Sequence, residues 1–316
     1  MGYADYISRG DVGALIPEDT SREIVQGVVE DSAVMRLAKR LPNMARAQKR
    51  IPVLSLFPIG YFVTGDTGLK QTTTVSWENK YMDAEEIAVI VPIAESVLDD
   101  ADYDIWAEVK PRIIETFGKI FDAAVLFGTN APASWPTDIL AACAATTSND
   151  VILGTGADIY EDVCDENGVI ALIEDDGFMH TGAIAAMGMR AKLRGLRDAN
   201  GQLLFTRSMQ EASNYMIDGE PMMFPRNGCW DVTQAQMIMG DWSQLVYSIR
   251  QDLTWKMLTE AVIQDATGAI VYNLAQQDMV ALRAVMRIAW QVPNPINRME
   301  EVEANRYPFA ALLPEA

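Results

Sequence analysis

The stretch from residue 51 to residue 96 is extended and rich in threonine, without a helical period. Its apolar residues are too sparse between positions 60 and 83 to bury both faces of a strand pair, and Gly65, Asp66 and Gly68 stand where the chain would turn back. A two-stranded ribbon is marginally stable on its own in water. The pattern therefore predicts a ribbon that lies on another surface, most simply on a neighbouring copy of the same chain.

A strand and a long helix are predicted directly after the ribbon. The strand is indicated by alternating apolar residues: Ile87, Val89, Val91 and Ile93. The apolar stripe of the helix consists of Ile105, Val109, Ile113, Phe117, Ile120 and Ala124. Its polar face is formed by Glu108, Glu115, Lys119 and Asp122. A proline in the helix interior removes a backbone donor, so Pro111 predicts a kink or a late start.

The rest of the chain is less clearly patterned. Residues 1–19 are predicted to form an extended arm, and Thr20 to Glu23 match a capping box that opens an interrupted helix ending near Leu41. Residues 129–178 show only weak periodicity. A further helix is predicted from Thr181 to the turn at 198–201, and its apolar positions are Ala185, Met189, Leu193 and Leu196. Neither an internal repeat nor a separating linker is found in the sequence.

Composition excludes several classes of protein. The 316 residues include 25 basic and 44 acidic ones, a net charge of −19, whereas a protein that grips nucleic acid needs a surplus of Lys and Arg. The widely spaced Cys143, Cys164 and Cys229 fit neither a disulfide framework nor a zinc site. The N-terminus lacks a secretory pattern, and no apolar run approaches the roughly 20 residues of a membrane span. Synthesis and action in the cytoplasm, or in a particle assembled there, are therefore expected.

Candidate catalytic and ligand-binding patterns are weak. Asp99, Asp100, Asp102 and Asp104 resemble a calcium loop in spacing, but Ile105 stands where glycine is expected, and capping of the following helix is the simpler interpretation. The single histidine, His180, lacks a recognisable catalytic partner. The glycine-rich stretch 60–70 lacks the Gly-Lys-Ser/Thr of a phosphate loop. No catalytic residue, cofactor or metal site is predicted, and the protein is not expected to be an enzyme.

Four stretches, taken in order, resemble the major capsid proteins of tailed bacteriophages. The first is LIPEDTSREIVQGVVEDSAVMRLAKR, and the second is the ribbon followed by AESVLDDADYDIWAEVKPRIIETFGKIFDAAVLFGT. The third is MGMRAKLRGLRDANGQLLF. The fourth runs from DGEPMMF through MGDWSQLVYSIRQDLTWKMLTEA to NLAQQDMVALRAVMRIAWQV. Together they span most of residues 15–292, and the likeness extends to the related encapsulin shells.

The resemblance implies an α+β fold of the Hong Kong 97 type. The fold has an N-terminal arm, an extended β-hairpin loop, a peripheral domain with a long spine helix, and an axial domain. The implied limits are 1–48 for the arm and its helix, 49–88 for the loop, 89–136 for the peripheral domain, 137–277 for the axial domain and 278–316 for the return to the peripheral domain.

The same resemblance implies pentamers and hexamers in an icosahedral shell around double-stranded DNA, located in the virion and assembled in the host cytoplasm. The implied partners are other copies, a portal, and separate scaffolding or decoration proteins. DNA would be contacted weakly and without sequence preference, and no membrane is involved. An encapsulin-like compartment is the alternative.

The expected intersubunit contact at the loop tip comprises Asp66, Leu69 and Lys70. Some family members link a loop lysine to a neighbour's asparagine, which raises the same question for Lys70 with Asn294 or Asn297. A solvated loop lysine is the simpler interpretation.

Overall fold

The fold is given by a computed structural model. The structure describes residues 31–63, 68–101, 104–146, 149–196 and 215–315. The predicted arm, the capping box at Thr20 to Glu23, the loop-tip residue Asp66 and Asp102 of the acidic run all lie outside these ranges.

The α-helices all lie between residues 33 and 195 of the described chain. In order they are α1 (Ala33–Leu37), α2 (Glu95–Asp100), α3 (Ile105–Phe127), α4 (Ile139–Ala145), α5 (Ile159–Cys164), α6 (Val169–Asp175) and α7 (Met189–Gly195). A short 3-10 turn spans Glu303–Asn305. None of the helices in the described ranges combines the length and the apolar composition needed to cross a bilayer.

Strands are distributed along the whole described chain. They are β1 (Lys39–Arg40), β2 (Gln48–Leu56), β3 (Ser76–Asp83), β4 (Glu85–Ala94), β5 (Asp150–Ile152), β6 (Gly182–Ala185), β7 (Met216–Ile217), β8 (Glu220–Met223), β9 (Met237–Gly240), β10 (Val246–Leu258), β11 (Val262–Gln264), β12 (Ile270–Asn273), β13 (Met279–Gln291) and β14 (Phe309–Leu313).

Two larger sheets and two separate strand pairs organise these strands. A four-stranded sheet has the order β1-β10-β13-β4, and a six-stranded sheet has the order β5-β14-β9-β6-β8-β7. The pairs β2-β3 and β11-β12 stand apart from both. This mixture of helices and largely antiparallel strands confirms the predicted α+β class.

The long helix α3 covers the four-stranded sheet with an aromatic core. Phe121 packs edge-on against Trp135, with ring centroids 6.1 Å apart, and Trp135 packs in the same way against Trp290 of β13. Phe121 also contacts the ring of Tyr247 on β10. The predicted strand at residues 87–93 is confirmed as part of β4, which pairs antiparallel with β13 along ten residues.

The start and buried face of α3 differ from the sequence prediction. The helix begins at Ile105, six residues before Pro111, because the Asp104 carboxylate caps it by accepting bonds from the amides of Trp106 and Ala107. Ile120, which was assigned to the apolar stripe, is half-exposed, while its neighbour Phe121 is fully buried. Asp122, assigned to the polar face, is also fully buried, because it meets hydrogen-bond donors from two other segments.

The predicted helix beginning at Thr181 is wrong in its first half. Gly182–Ala185 form strand β6 at the centre of the six-stranded sheet, where all four residues are buried. The helix begins only at Met189. A short, wholly apolar run can be read as a helix turn or a buried strand, and periodicity alone does not distinguish the two.

Strands β10 and β14 each pair with a strand from another of the implied segments. β10 lies in the segment 137–277 but pairs with β13 in the four-stranded sheet. β14 lies in the segment 278–316 but is inserted between β5 and β9 of the six-stranded sheet. The first four residues of β14 are fully buried. A position inside the sheet buries their side chains and gives their backbone groups hydrogen-bond partners on both sides.

Candidate intersubunit surface

The predicted ribbon is confirmed as the antiparallel pair β2-β3. Its register runs from Gln48 opposite Asp83 to Leu56 opposite Ser76, with a bulge between Leu54 and Leu56. The pair joins neither of the two larger sheets. Gln291 of β13 donates to the Tyr81 carbonyl at 2.9 Å, so the base of the pair rests on the four-stranded sheet, and residues 57–63 and 68–75 extend beyond the pair.

The far part of this extended loop exposes large apolar side chains. Phe62 is fully exposed, Leu69 is 92% exposed and Trp77 is 66% exposed. The others on the loop are Ile59, Tyr61, Val63, Val75 and Tyr81. Such a concentration of apolar surface on one element is typical of an interaction site rather than of a solvated loop.

Two of the predicted tip residues can be placed. Leu69 and Lys70 are both exposed, whereas Asp66 lies outside the described residues. The structure therefore places Leu69 and Lys70 where a second molecule could reach them.

The base of the loop is fixed to the C-terminal segment of its own chain. The Arg298 guanidinium donates to the Pro58 carbonyl at 3.1 Å and lies 4.2 Å from the centre of the Phe57 ring. Lys80 of β3 forms an ion pair with Glu303 at 2.6 Å. These contacts hold the loop near its origin, and residues 59–63 and 68–75, the described part of its far end, form no ion pair with the rest of the subunit.

Arg306 shapes the segment that supports the loop base. Its guanidinium is almost fully buried and donates to the carbonyls of Asn294 at 3.1 Å, Pro295 at 3.2 Å and Glu301 at 2.9 Å. Burial lowers the pKa of Arg306, while the nearby Glu303 acts in the opposite direction. One side chain thus fixes several backbone carbonyls of a segment without regular secondary structure.

Asp176 ties the same segment to the six-stranded sheet. Its carboxylate accepts from the side-chain amide of Asn149 and from the backbone amide of Tyr307 at 2.8 Å. Its carbonyl accepts from the Asn297 side chain at 2.7 Å. Burial raises the pKa of Asp176, and these hydrogen bonds partly offset that effect.

The two candidate cross-linking asparagines are both engaged within the subunit. The side-chain amide of Asn294 donates to the Arg306 carbonyl at 2.9 Å, and that of Asn297 donates to the Asp176 carbonyl. An isopeptide bond with Lys70 would have to break one of these buried contacts, so both amides have a structural role in the arrangement described.

A buried carboxylate on α3 anchors the start of α1. Asp122 accepts from the Ser32 hydroxyl at 2.5 Å, from the amides of Ala33 and Val34 at 2.9 and 3.2 Å, and from the Asn227 side chain at 3.3 Å. Burial raises the pKa of Asp122 to about 6, and the four donors act to lower it. Three distant segments therefore meet at one side chain.

Comparison with known proteins identifies the class of assembly. Residues 12–297 match the phage capsid family. The chain is 30% identical over 285 residues to the major capsid protein of Staphylococcus phage 80alpha, and the match spans 89% of this chain and 82% of that protein. The chain belongs to the phage capsid family.

Solved structures agree with this membership of the phage capsid family. A structure from Microbacterium phage Oxtober96 superposes with a TM-score of 0.86 at 35% identity, covering 98% of this chain and all of that one. A structure from Mycobacterium phage Adephagia gives a TM-score of 0.83 at 29% identity, covering 99% of each chain. The fold is the Hong Kong 97 type, and the protein is a phage major capsid protein, a structural protein and not an enzyme. The encapsulin-like alternative is not favoured.

The acidic run and His180 have structural roles in this capsid protein. Asp104 caps α3, which supports the capping interpretation of the acidic run. His180 is buried, with its Nε2 3.5 Å from the Ile217 carbonyl. In the ranges that the structure describes, His, Cys, Asp and Glu side chains do not cluster in a way that could hold a metal ion.

A second exposed strand pair was missed by sequence reasoning. The hairpin β11-β12 turns at Asp265, whose carboxylate accepts from the amides of Thr267 and Ala269, and Gly268 adopts a φ of 85°. Ile270 is 63% exposed, and Val262 and Val271 are about half-exposed. The signal was present, since an Asp-x-x-Gly turn lies between two short apolar runs.

Proposed function

We propose that this capsid protein assembles into pentamers and hexamers of a closed icosahedral shell that encloses the double-stranded DNA of a tailed phage. One observation carries the proposal: the extended loop is fixed at its base and exposes Phe62 and Leu69 beyond it. A fixed base with an apolar far end suits a contact made on a neighbouring subunit.

The energetics favour burial of the loop in an assembly. Complete burial of one large apolar side chain stabilises by about 1.5–3 kcal/mol. The loop offers several such side chains, and symmetry would repeat the same contact at every subunit. Weak individual contacts can therefore sum to a stable shell.

Asp66, Leu69 and Lys70 are proposed as the contact at the loop tip. Leu69 would supply apolar burial, while Asp66 and Lys70 would pair with charged groups of the neighbour. Exposed ion pairs contribute little affinity but help to set orientation.

The remaining parts of the proposal concern organisation and partners. The limits 1–48, 49–88, 89–136, 137–277 and 278–316 are proposed for the arm, loop, peripheral domain, axial domain and return segment. We also propose that the shell is assembled in the host cytoplasm. Its proposed partners are a portal and separate scaffolding or decoration proteins, because these are features of this class of shell. Packaged DNA would be contacted weakly, because the chain carries a net charge of −19.

The test removes the far end of the loop and keeps its base. Residues 59–73 are replaced by a short Gly-Ser linker, which leaves the paired parts of β2 and β3 intact. We expect the wild type to form closed shells in electron microscopy, and the variant to remain folded by circular dichroism but to form none.

The matched control is Met179→Ser, which removes an apolar side chain that is 76% exposed outside the loop. It should assemble as the wild type does. A wild type that stays monomeric, or a loop variant that forms normal shells, would contradict the proposed function.

A further inference from the structure

One segment near the start of this acidic chain carries basic residues without any acidic ones. Residues 32–65 contain no Asp or Glu, although the chain as a whole carries 44 acidic residues. Six basic residues lie within this stretch, here called the basic strip: Arg36, Lys39, Arg40, Arg46, Lys49 and Arg50.

The basic strip follows the free edge of the four-stranded sheet. Lys39 and Arg40 form the edge strand β1, and Arg50 lies on β2 at the loop base. All the strip side chains are exposed except that of Lys49, which is half-buried. Within the described residues their polar contacts are to neutral groups, since Arg40 donates to Asn43 and Lys49 to the Pro42 carbonyl. The positive charge of the strip is thus available to a partner.

Two segments, residues 81–109 and residues 150–176, carry acidic residues without any Lys or Arg, and the first contains strand β4 of the four-stranded sheet. Residues 81–109 contain nine Asp and Glu and no Lys or Arg. Four of them surround α2 and the start of α3 and are here called the acidic patch: Glu95, Asp99, Asp100 and Asp104.

The helix α2, which carries Glu95, Asp99 and Asp100 of the acidic patch, is mostly exposed, although the Glu95 amide donates to the Asp278 carbonyl at 2.9 Å. It has six residues, buries none of them, and has no side-chain cap at its N-terminus. Val97 on the same helix is 51% exposed. Helices this short are unstable unless packing supports them. A second surface over α2 would supply more of that packing.

The strip and the patch lie at opposite corners of the sheet. Strand β1 pairs with the beginning of β10, and the beginning of β10 pairs with the end of β13. The end of β13 also pairs with the first residue of β4. The basic strip therefore starts at the corner of the sheet where β4 begins. The acidic patch follows the last residue of β4, Ala94, which lies opposite Met279. Ten strand residues at about 3.3 Å each separate the two ends of β4 by roughly 33 Å. The two charged surfaces of one subunit therefore cannot neutralise each other.

We propose that the basic strip of one subunit binds the acidic patch of a neighbouring copy. The contact is head-to-tail, since two different surfaces meet, and contacts of this kind build rings or larger closed assemblies. The inference rests on the proposed function, because it requires copies to assemble.

A second copy fits the basic strip better than nucleic acid does. The amide of Ala84 donates to the carbonyl of Ala47 at 2.8 Å, which brings Asp83 and Glu85 beside the second half of the strip. These carboxylates would repel a continuous phosphate backbone. A protein surface with three carboxylates on a short helix and one beside it avoids that repulsion by contacting selected residues.

Charge reversal tests the pairing. The strip-reversed variant carries Arg40→Glu, Arg46→Glu and Arg50→Glu, and the patch-reversed variant carries Glu95→Lys, Asp99→Lys and Asp100→Lys. Asp104 is kept because it caps α3. We expect the sedimenting fraction of each triple variant alone to be at least tenfold smaller than that of the wild type. The six-substitution variant, and an equal mixture of the two triple variants, should regain it.

Controls and contrary outcomes separate this inference from the proposed function. A variant with the same charge change at exposed sites elsewhere, Lys110→Glu, Lys192→Glu and Lys256→Glu, should assemble normally. If the strip-reversed protein forms normal shells but loses nuclease-protected DNA, nucleic acid is the partner and the inference is wrong. A folded six-substitution variant that does not assemble also overturns it. A wild type that never assembles would instead overturn the proposed function.

Discussion

A single buried carboxylate, Asp122, joins the chain before the loop to the spine helix. Four donors converge on it from Ser32, Ala33, Val34 and Asn227. The approach is close, since a Cβ added at Gly118 would lie 3.2 Å from the Ser32 nitrogen. A buried carboxylate is stabilised only when its oxygens are satisfied, and here they are. The contact therefore positions α1, and with it the start of the basic strip, against α3.

Removing the Asp122 carboxylate should destabilise the subunit strongly. In Asp122→Ala the buried amides of Ala33 and Val34 lose their acceptor, at a cost of about 1–3 kcal/mol for each unsatisfied group. We expect the free energy of unfolding in urea to fall by roughly 3–5 kcal/mol. Lys110→Ala, an exposed position on the same helix, serves as the control and should change it by less than about 1 kcal/mol. An equal effect in both variants would contradict the anchoring role.

The carboxyl group of Asp122 should make the stability of the subunit depend on pH. Its folded pKa of about 6 lies above the ordinary value of 3.8. The protonated form is thus favoured by folding, so the stability that Asp122 contributes is complete below pH 3.8 and is lost as the pH rises through 6. The free energy of unfolding of the wild type minus that of Asp122→Asn should fall by roughly 3 kcal/mol from about pH 4 to pH 7. A difference that is constant or grows would show that the pKa is not raised.

At the scale of elements, the extended loop is held by a segment that has no regular structure of its own. Arg306 donates to several carbonyls of residues 294–301, and this segment in turn supplies Arg298 to the loop base. The direction in which the loop leaves the subunit therefore depends on a residue that does not touch it.

Arg306→Lys should loosen the loop base while the two sheets stay intact. Lysine keeps the charge but has a single nitrogen, which cannot reach carbonyls spread around a planar guanidinium. We expect faster amide hydrogen exchange in residues 294–303 and 54–58, with exchange in β9 and β13 unchanged. Arg298→Lys is the companion variant and should affect the loop base alone. Exchange that rises equally throughout the chain would indicate global destabilisation instead.

Sequence reasoning succeeded where an element is long and patterned and failed where tertiary contacts decide. The ribbon, strand β4 and the spine helix followed from periodicity, because each extends over eight or more residues. The buried position of Asp122 could not be predicted, since its donors lie 88 to 105 residues away. β6 and β14 are short apolar runs whose placement depends on strands that are distant in the chain. The anchoring of the loop base was missed for the same reason.

At the scale of the whole molecule, charge is both unbalanced and segregated. The net charge of −19 keeps free subunits apart at long range, whereas the strip and the patch favour one particular close contact. Salt screens both effects, but it screens the exposed long-range repulsion more completely than a contact from which water has been excluded. Assembly through complementary surfaces can thus proceed in spite of the overall repulsion.

This segregation predicts how DNA binding changes on assembly. Free subunits expose the basic strip and should retain double-stranded DNA at low salt, but with a Kd no tighter than about 10⁻⁴ M near physiological salt, because few phosphates can be neutralised. In shells the strip is covered by the neighbour's acidic patch, so retention at low salt should disappear. Fluorescence anisotropy with a labelled duplex measures both states, and the strip-reversed variant provides the baseline. Micromolar binding near physiological salt, or binding that survives assembly, would mean that the strip faces the packaged DNA.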